Sequence, residues 1–236
     1  MTLPSEPHPK TGQPVGSVVG ATPAARPAPA TLQGCFGRLE KLVPVHAASL
    51  WEAVKGAERI WTYMPSYGPF PDAATFARWV AERAALDDPY SYAIIGPDGR
   101  ALGVSALMAI RPDHCVVEIG QIIYSPALQR TALATEAQYL LARYAFETLG
   151  YRRYEWKCDA LNTASRQAAQ RYGFSFEGIF RQHMIGRGRN RDTAWYSMLD
   201  NEWPARKAAF ERWLAPDNFT ADGKQKVSLS ALNGAA

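Results

Sequence analysis

Cysteine is scarce in this 236-residue chain. Its three cysteines, Cys35, Cys115 and Cys158, are odd in number and widely spaced, which disfavours a disulfide framework and a zinc site of paired cysteines. No apolar run approaches the ~20 residues that a membrane helix needs, and the first residues hold no uninterrupted apolar core of the signal-peptide kind. We therefore expect a cytoplasmic protein without a membrane partner.

A large excess of one charge is also lacking. Lys and Arg number 26 against 22 Asp and Glu, so the net charge is +4. This balance permits anionic ligands, but it is smaller than the charge expected of a dedicated nucleic-acid binder. Hydrophobic residues make up 47% of the chain and charged residues 20%, which is typical of a globular protein.

The two ends of the chain differ in composition from the middle. Residues 1–33 contain seven prolines and no aromatic residue, so they are predicted to be a disordered leader that buries too little surface to offset its ordering entropy. Residues 220–236 are small and polar, which predicts a flexible tail. The folded domain is therefore expected to span residues 34–219.

Periodicity within that domain alternates between strand and helix signals. The predicted strands are residues 38–43, 91–95, 101–110, 115–124, 153–158, 176–184 and 193–199, and the predicted helices are residues 44–54, 72–86, 131–149, 163–172 and 202–214. Three consecutive antiparallel strands in the middle of this order indicate a mixed α/β sheet rather than a doubly wound one.

The most informative segment connects the strand that ends at Ser125-Pro126 to the helix that begins near Thr131. Free N–H groups at a helix N-terminus attract anions, and the short side chains of residues 131–134 would let a phosphate approach the backbone. Arg130 adds a positive charge. The segment predicts a phosphate cradle, with an ordinary helix start as the alternative. It lacks the ending of a Walker loop and is not a dinucleotide fingerprint.

At these residues the chain resembles a known family. The strand Val117-Glu118-Ile119-Gly120, the loop 129–134 with Thr135-Glu136-Ala137 after it, Asn162-Thr163-Ala164-Ser165 and Tyr172-Gly173-Phe174 are similar to the RimJ/RimL-like branch of the GNAT superfamily of acyl-CoA-dependent N-acyltransferases. The resemblance covers residues 37–213. Ala132 stands where the family loop usually has its first glycine, and alanine fits a helical backbone.

The resemblance implies a fold and a donor site. The fold is a mixed, largely antiparallel sheet with a splayed parallel strand pair, flanked by helices. The donor is acetyl-CoA, with no metal. Its pantetheine arm would lie along the exposed strand edge, and its diphosphate would lie on the loop N–H groups. The implied donor-binding residues are Ile122, Ile123, Tyr124, Gln129, Arg130, Thr131, Ala132, Leu133, Ala134, Thr135 and Asn162. Asn162 also suits a helix N-cap, and both roles can hold.

The implied reaction is attack of an amine on a thioester. The amine must be neutral, and an α-amino group has a pKa near ~8 against ~10.4 for lysine, so a base helps lysine more. Glu118 is the candidate base, with a surface glutamate paired to Arg or Lys as the alternative. An N–H near Ile122 or Ile123 would face the developing oxyanion. Because Ala169 stands where many relatives have a tyrosine acid, Ser165 is the candidate acid, with a first-turn helix serine as the alternative.

Two further clusters of residues each have two alternative roles. The aromatic loop 61–70 places Tyr63, Met64, Tyr67 and Phe70 either as an acceptor wall or as a lid packed on the core. Four arginines around the last hairpin, Arg181, Arg187, Arg189 and Arg191, suit either a nucleic-acid backbone or acidic acceptor, or a solvated turn with local ion pairs.

These observations and the resemblance together predict an N-acetyltransferase that moves an acetyl group from acetyl-CoA to a primary amine in a ternary complex. The acceptor remains open among a protein N-terminus, an amino acid, a polyamine and an amine-bearing antibiotic. A different acyl donor is one rival. A non-catalytic CoA-binding or RNA-binding module of the same fold is another. The resemblance also implies a homodimer.

Overall fold

The computed structural model describes residues 5–20 and 22–234. Within them the strands are β1 (Glu6–Pro7), β2 (Pro14–Val15), β3 (Leu32–Gln33), β4 (Arg38–Lys41), β5 (Tyr90–Ile95), β6 (Ala101–Arg111), β7 (Val116–Tyr124), β8 (Arg153–Asp159), β9 (Ser175–Gly186) and β10 (Arg189–Leu199). The α-helices are α1 (Ala47–Val54), α2 (Ala73–Ala84), α3 (Ala132–Arg143), α4 (Thr163–Arg171), α5 (Trp203–Leu214) and α6 (Leu229–Leu232). Among the described residues, no helix combines the length and the apolar character that a bilayer crossing needs.

Eight of these strands form one sheet in the order β3-β4-β5-β6-β7-β8-β10-β9. All of its neighbours pair antiparallel except β7 and β8, which run parallel. The predicted mixed, largely antiparallel sheet with one parallel pair is confirmed. A parallel pair needs a crossover connection, and α3 supplies it between β7 and β8.

The sheet separates two apolar cores. On one face, α1 and α2 cover Ala93, Ile95, Val104 and Ile123. On the other face, α3 and α5 cover Tyr92 and Ile94, which alternate with Ala93 and Ile95 along β5, and Val117 and Ile119 of β7. This alternation is the period-2 pattern of strands buried on both faces. It matters for the site because neighbouring residues of β7 point into different halves of the molecule.

Local signals explain where the helices begin and end. The Asp72 carboxylate accepts a hydrogen bond from Thr75 N at 2.7 Å and caps α2. The predicted helix 131–149 is α3 followed by one π-helical turn, Tyr144–Thr148. Gly150 then ends it with a φ of +78°, a left-handed conformation that glycine adopts without strain.

The N-terminal boundary differs from the composition-based prediction. Ala24 is buried, and its N–H donates to Pro112 O at 3.1 Å, while Ala25 N donates to Leu149 O at 2.8 Å. Leu32–Gln33 pairs with β4. The domain therefore extends before residue 34. Composition did not reveal this, because these residues have few large side chains and are held mainly by main-chain hydrogen bonds.

The C-terminal segment that begins at residue 220 also packs against the domain. Leu229 is fully buried, and the buried side chain of Asn218 bonds Trp213 O at 3.0 Å and Val227 N at 3.0 Å. Trp213 Nε1 donates to Gln225 Oε1 at 2.6 Å. The prediction of a flexible tail from residue 220 overlooked these contacts, because they join residues whose local sequence has no helix or strand period.

Candidate active site

A gap opens in the sheet where β7 and β8 separate. Their parallel pairing runs from Val116 opposite Arg153 to Ile119 opposite Trp156 and then stops. From Gly120 onward, the edge of β7 that faces β8 has no strand partner among the described residues. A cleft of about 1910 Å³ runs along this gap and past the start of α3. The expected splay of the parallel pair is therefore present, at the position that the resemblance implies.

Gly120 marks the point at which the strands part. A Cβ atom added there would lie 2.5 Å from Met108 Sδ, so a larger residue would require the Met108 side chain to move. Gln121 follows with a φ of +49°, a left-handed conformation inside a strand, and the register against β6 shifts at the same place. This bulge reverses the alternation of side chains, so that Ile122 and Tyr124 face the cleft and Ile123 faces the α1–α2 core.

The segment before α3 offers three unused main-chain donors. Gln129 N bonds Ser125 O, Thr131 N bonds Leu128 O, and Ala134 N bonds Thr131 Oγ1 at 3.1 Å. In contrast, the N–H groups of Arg130, Ala132 and Leu133 have no acceptor within the described part of the chain. Arg130 has a φ of +62° and is followed by the extended Thr131, and a left-handed residue in a turn can bring successive N–H donors to one concave side. The predicted cradle thus has half of its six amides free.

The predicted donor-binding residues fall into two groups. The residues whose atoms line the cleft are Ile122, Tyr124, Gln129, Arg130, Thr131, Ala132, Ala134, Thr135 and Asn162. Ile123 and Leu133 do not line it, because both side chains are buried in the two cores. For Leu133 only the main-chain N–H can serve a ligand.

Asn162 and Ser165 lie on the opposite wall of the cleft. Asn162 Oδ1 accepts a hydrogen bond from Ser165 N at 3.1 Å and caps α4, as the alternative reading predicted. Its Nδ2 makes no hydrogen bond within residues 5–20 and 22–234. Ser165 Oγ accepts from Trp156 Nε1 at 3.1 Å, which leaves the hydroxyl proton available to the cleft.

Glu118 and Glu155 face each other across the paired part of β7 and β8. Glu118 is 7% exposed, and burial raises the pKa of its carboxyl above the ordinary value, although Lys157 opposes the shift. Burial acts in the same direction on Glu155, but hydrogen bonds and charges from Arg153, Lys157 and Arg111 lower its pKa. The two neighbouring carboxylates therefore have pKa shifts of opposite direction, as carboxyl groups with different environments do.

Lys157 connects these carboxylates. Its Nζ lies 2.9 Å from Glu118 Oε2 and 3.1 Å from Glu155 Oε2, and it stacks 3.8 Å from the Trp195 ring centroid. Lys157 was not predicted as a site residue. The alternation of residues 154–159 places Glu155 and Lys157 on one face, but only the strand register shows that Glu118 lies beside them. The alternative of a surface glutamate paired with a basic neighbour is therefore right about the pairing, but Glu118 is buried and not on the surface.

The aromatic loop contributes less to the cleft than predicted. Of the four expected acceptor residues, Tyr63 lines the cleft, and its hydroxyl donates to Leu161 O at 3.2 Å. Tyr67 and Phe70 instead pack against Trp61 and Trp79, with ring centroids 5.2–6.4 Å apart. Met64 also packs against this core. The loop is thus mainly a lid held by its own aromatic cluster.

The basic hairpin closes over that loop. Arg187 Nη2 donates to Tyr67 O at 2.6 Å and also bonds Gly68 O. Asp192 accepts hydrogen bonds from Gln182 N and Asn190 Nδ2. Arg187 therefore fastens the lid, a role that differs from both sequence-based alternatives for the arginines.

Comparisons with known proteins agree with this geometry. A sequence profile described as "Acetyltransferase (GNAT) domain" matches residues 38–175. A GCN5-related N-acetyltransferase from Brucella melitensis is 45% identical, with a TM-score of 0.88, and the match covers 91% of this chain and 99% of that one. A Chromobacterium violaceum protein, provisionally named a GNAT-family acetyltransferase, is 41% identical over 84% of this chain and all of its own, with a TM-score of 0.76.

A curated relative from Bacillus subtilis (strain 168), YdaF, is provisionally named a ribosomal N-acetyltransferase. It is 31% identical over 110 residues, which are 47% of this chain and 60% of the relative. The matched profile covers the sheet from β4 to the start of β9, including the gap, the free amides and Glu118. The chain therefore belongs to the GNAT family of acetyltransferases.

Proposed function

We propose that this protein transfers an acetyl group from acetyl-CoA to a primary amine by direct attack in a ternary complex. The observation that carries the proposal is the coincidence of two features on consecutive segments. Within the described residues, the edge of β7 has no strand partner from Gly120 onward, and the N–H groups of Arg130, Ala132 and Leu133 have no acceptor. The strand edge can pair with the amides of a pantetheine arm, and the free N–H groups can bind a diphosphate. Acyl-CoA contains both of these groups.

Different residues of the cleft would bind different parts of the donor. The free amides and Arg130 would hold the diphosphate, and the β7 edge from Gln121 to Tyr124 would accept the pantetheine amides. Asn162 Nδ2, on the facing wall, is a further donor for that arm. When bound, the donor supplies an activated acetyl thioester. The N–H groups near Ile122 and Ile123 are the proposed partners of the negative charge that develops on its oxygen.

Proton transfer falls to Glu118 and Ser165. As the C–N bond forms and the C–S bond breaks, Glu118 accepts a proton from the attacking amine, directly or through water. Its raised pKa strengthens it as a base relative to an ordinary carboxylate. The Ser165 hydroxyl, held by Trp156, donates a proton toward the departing sulfur and is reprotonated by solvent. Glu118 then releases its proton to solvent, so the net result moves one proton from amine to thiol.

A peptide α-amino group is the acceptor class that we place first. The curated relative's name connects it to the ribosome, and a ribosomal protein would offer such an amine. An α-amino group has a pKa near ~8, so a useful fraction is neutral near neutrality, and a base of modest strength suffices. Lysine side chains, free amino acids and polyamines are the competing classes.

The test has two stages on the full chain. Isothermal titration calorimetry first measures the affinity for CoA and acetyl-CoA, with a short RNA as a comparison ligand. A free-thiol assay then follows acetyl-CoA in the presence of N-terminal peptides, lysine peptides with blocked N-termini, amino acids and polyamines. Mass spectrometry of the products locates the new acetyl group.

We expect binding of CoA and acetyl-CoA and amine-dependent thiol release, with the peptide α-amino group as the acetylated atom. Binding without turnover on any amine would point to a non-catalytic CoA-binding module. Binding of the RNA alone would overturn the proposal, because the cradle would then serve another polyanion.

A further inference from the structure

Arg171 carries a positive charge that the protein leaves unbalanced. Its Nη1 donates to Thr135 Oγ1 at 3.1 Å, beside the first turn of α3, and its guanidinium lies 4.9 Å from the Trp213 ring centroid. No carboxylate within the described residues forms an ion pair with it. Burial lowers the pKa of Arg171, but a guanidinium remains charged in proteins. A partly desolvated cation in a cleft needs an anion.

The C-terminal segment builds the wall next to Arg171. Trp213, Phe219 and Lys224 line the same cleft as the cradle, together with Phe36 from the other side. Phe219 packs edge-on against both Phe36 and Trp213, with ring centroids at 6.1 and 5.2 Å. The turn that carries Lys224 is folded, because Thr220 N bonds Lys224 O at 2.9 Å and Lys226 N bonds Asn218 O at 2.6 Å.

Lys224 is free to change partners. Its ammonium contacts Asp222 at 2.8 Å, but both side chains are largely exposed, and such surface pairs are weak. Residues 213–225 also lie outside residues 38–175, which the family profile matches. The C-terminal part of this wall therefore lies beyond the matched profile, whereas Arg171 lies within it.

The direction of the donor follows from the positions of the gap and the cradle. If the thioester lies at the gap and the diphosphate at the amides before α3, the nucleotide must leave the cradle on the side away from the gap. Arg171 and Phe36 contact Thr135 and Glu136 of α3, and Phe219 packs on Phe36. Trp213, Phe219 and Lys224 line the same cleft.

We propose that Arg171 and Lys224 bind the 3′-phosphate of the donor's nucleotide, and that the half-buried Phe36 and Phe219, backed by the buried Trp213, form the surface on which its adenine packs. This inference rests on the proposed function, because it assumes an acyl-CoA donor. It makes the C-terminal segment a specificity element that distinguishes CoA from 3′-dephospho-CoA.

The experiment compares the affinities of the full chain for CoA and 3′-dephospho-CoA by calorimetry. We expect the wild type to bind CoA about 10-fold tighter, as charge-assisted hydrogen bonds to one phosphate would give. Arg171→Gln is expected to bring this ratio to within about 2-fold, with Arg171→Lys between the two. Lys224→Gln should lower the ratio by about 3-fold, whereas Lys226→Gln, a neighbouring lysine that does not line the cleft, keeps the wild-type ratio.

Each result decides between the alternatives. Equal wild-type affinity for the two ligands overturns the inference and leaves the proposed function intact, whereas binding of neither overturns the proposed function itself. If Arg171→Gln weakens both ligands equally, Arg171 holds the diphosphate and the inference is wrong. If Arg171→Gln does not fold, Lys224→Gln decides, since its side chain is exposed and an unchanged ratio there also overturns the proposal.

Discussion

The proposed donor half and the proposed acceptor half of the site are built by different means. On the donor side, the free N–H groups of Arg130, Ala132 and Leu133 come from one continuous segment, and backbone conformation makes the site. On the acceptor side, Glu118, Lys157 and the aromatic lid come from segments far apart in the chain and meet through strand register. The first half should tolerate changes of side chain that preserve backbone geometry, whereas the second should respond to the loss of a single charge.

The same contrast separates the two carboxylates between β7 and β8. Glu155 has three basic partners, Arg111, Arg153 and Lys157, and behaves as a structural anion. Among the described residues, Glu118 forms an ion pair with Lys157 alone, and burial raises the pKa of its carboxyl. Proximity in the sheet therefore does not make two glutamates equivalent, because the number of paired charges decides which one can change its protonation.

The largest effect is expected at Glu118. Glu118→Gln keeps the size and most contacts of the side chain but cannot accept a proton, so kcat should fall by about 100-fold or more. The dissociation constant for CoA should change by less than about 2-fold, because Glu118 does not line the donor cleft. Steady-state kinetics and calorimetry on the same preparation measure both, and an unchanged kcat would remove Glu118 as the base.

The pH dependence sharpens this prediction. In the wild type, kcat/KM should fall as the pH drops through the raised pKa of Glu118, and this acid limb should vanish in Glu118→Gln. The contribution of Glu118 to folding stability changes with pH in the opposite direction to its contribution to activity. A carboxyl whose pKa is higher in the folded state stabilises the fold below its unfolded pKa and loses that contribution as pH rises through the folded value. The Tm of Glu118→Gln should therefore increase relative to the Tm of the wild type as the pH rises.

The cradle gives the next largest effect. Ala132→Asp places a carboxylate at the first residue of α3, where it is compatible with the helix dipole but repels a phosphate. We expect CoA affinity to fall by about 100-fold while the Tm stays equal or rises slightly. The isosteric Ala132→Asn should cost less than about 10-fold. Equal losses for both variants would mean that bulk, and not charge, governs this position.

Ser165 should have a smaller effect on turnover. Ser165→Ala removes the hydroxyl proton from the cleft, and a thiolate of ordinary pKa leaves readily, so kcat should fall by only about 10-fold. The variant also deprives Trp156 Nε1 of its acceptor, which should lower the free energy of unfolding by about 1–3 kcal/mol. Kinetics and denaturant titration separate the two effects. A loss of stability with full activity would leave Ser165 a structural role only.

Asn162 gives the smallest effect and separates capping from binding. Asn162→Asp keeps the oxygen that caps α4 but loses the Nδ2 donor, so the Tm should hold while CoA affinity falls by about 5-fold. Asn162→Ala should in addition lower the free energy of unfolding by about 1 kcal/mol through loss of the cap. Unchanged CoA affinity in Asn162→Asp would limit Asn162 to the cap.

Most of the sheet and the cradle were predictable because their signals are local. Alternating apolar residues, the Ser125-Pro126 strand end and the Thr131 cap lie within a few residues of the structure they produce. The strands predicted at residues 91–95, 101–110 and 115–124 match β5, β6 and β7 within one residue at each end. The short strand β3 and the helix α6 were missed, since two and four residues are too few to show a period.

Local sequence thus predicted the order of the elements and the segment that presents free amides. The resemblance to the family predicted the splayed strand pair. Long-range contacts specified the rest: the partnership of Glu118 with Lys157, the inward packing of Tyr67 and Phe70, and the placement of residues 213–225 beside Arg171. The physical reason is that hydrogen bonding along a backbone segment depends on its own dihedral angles, whereas the charge state and exposure of a side chain depend on neighbours that only folding brings near.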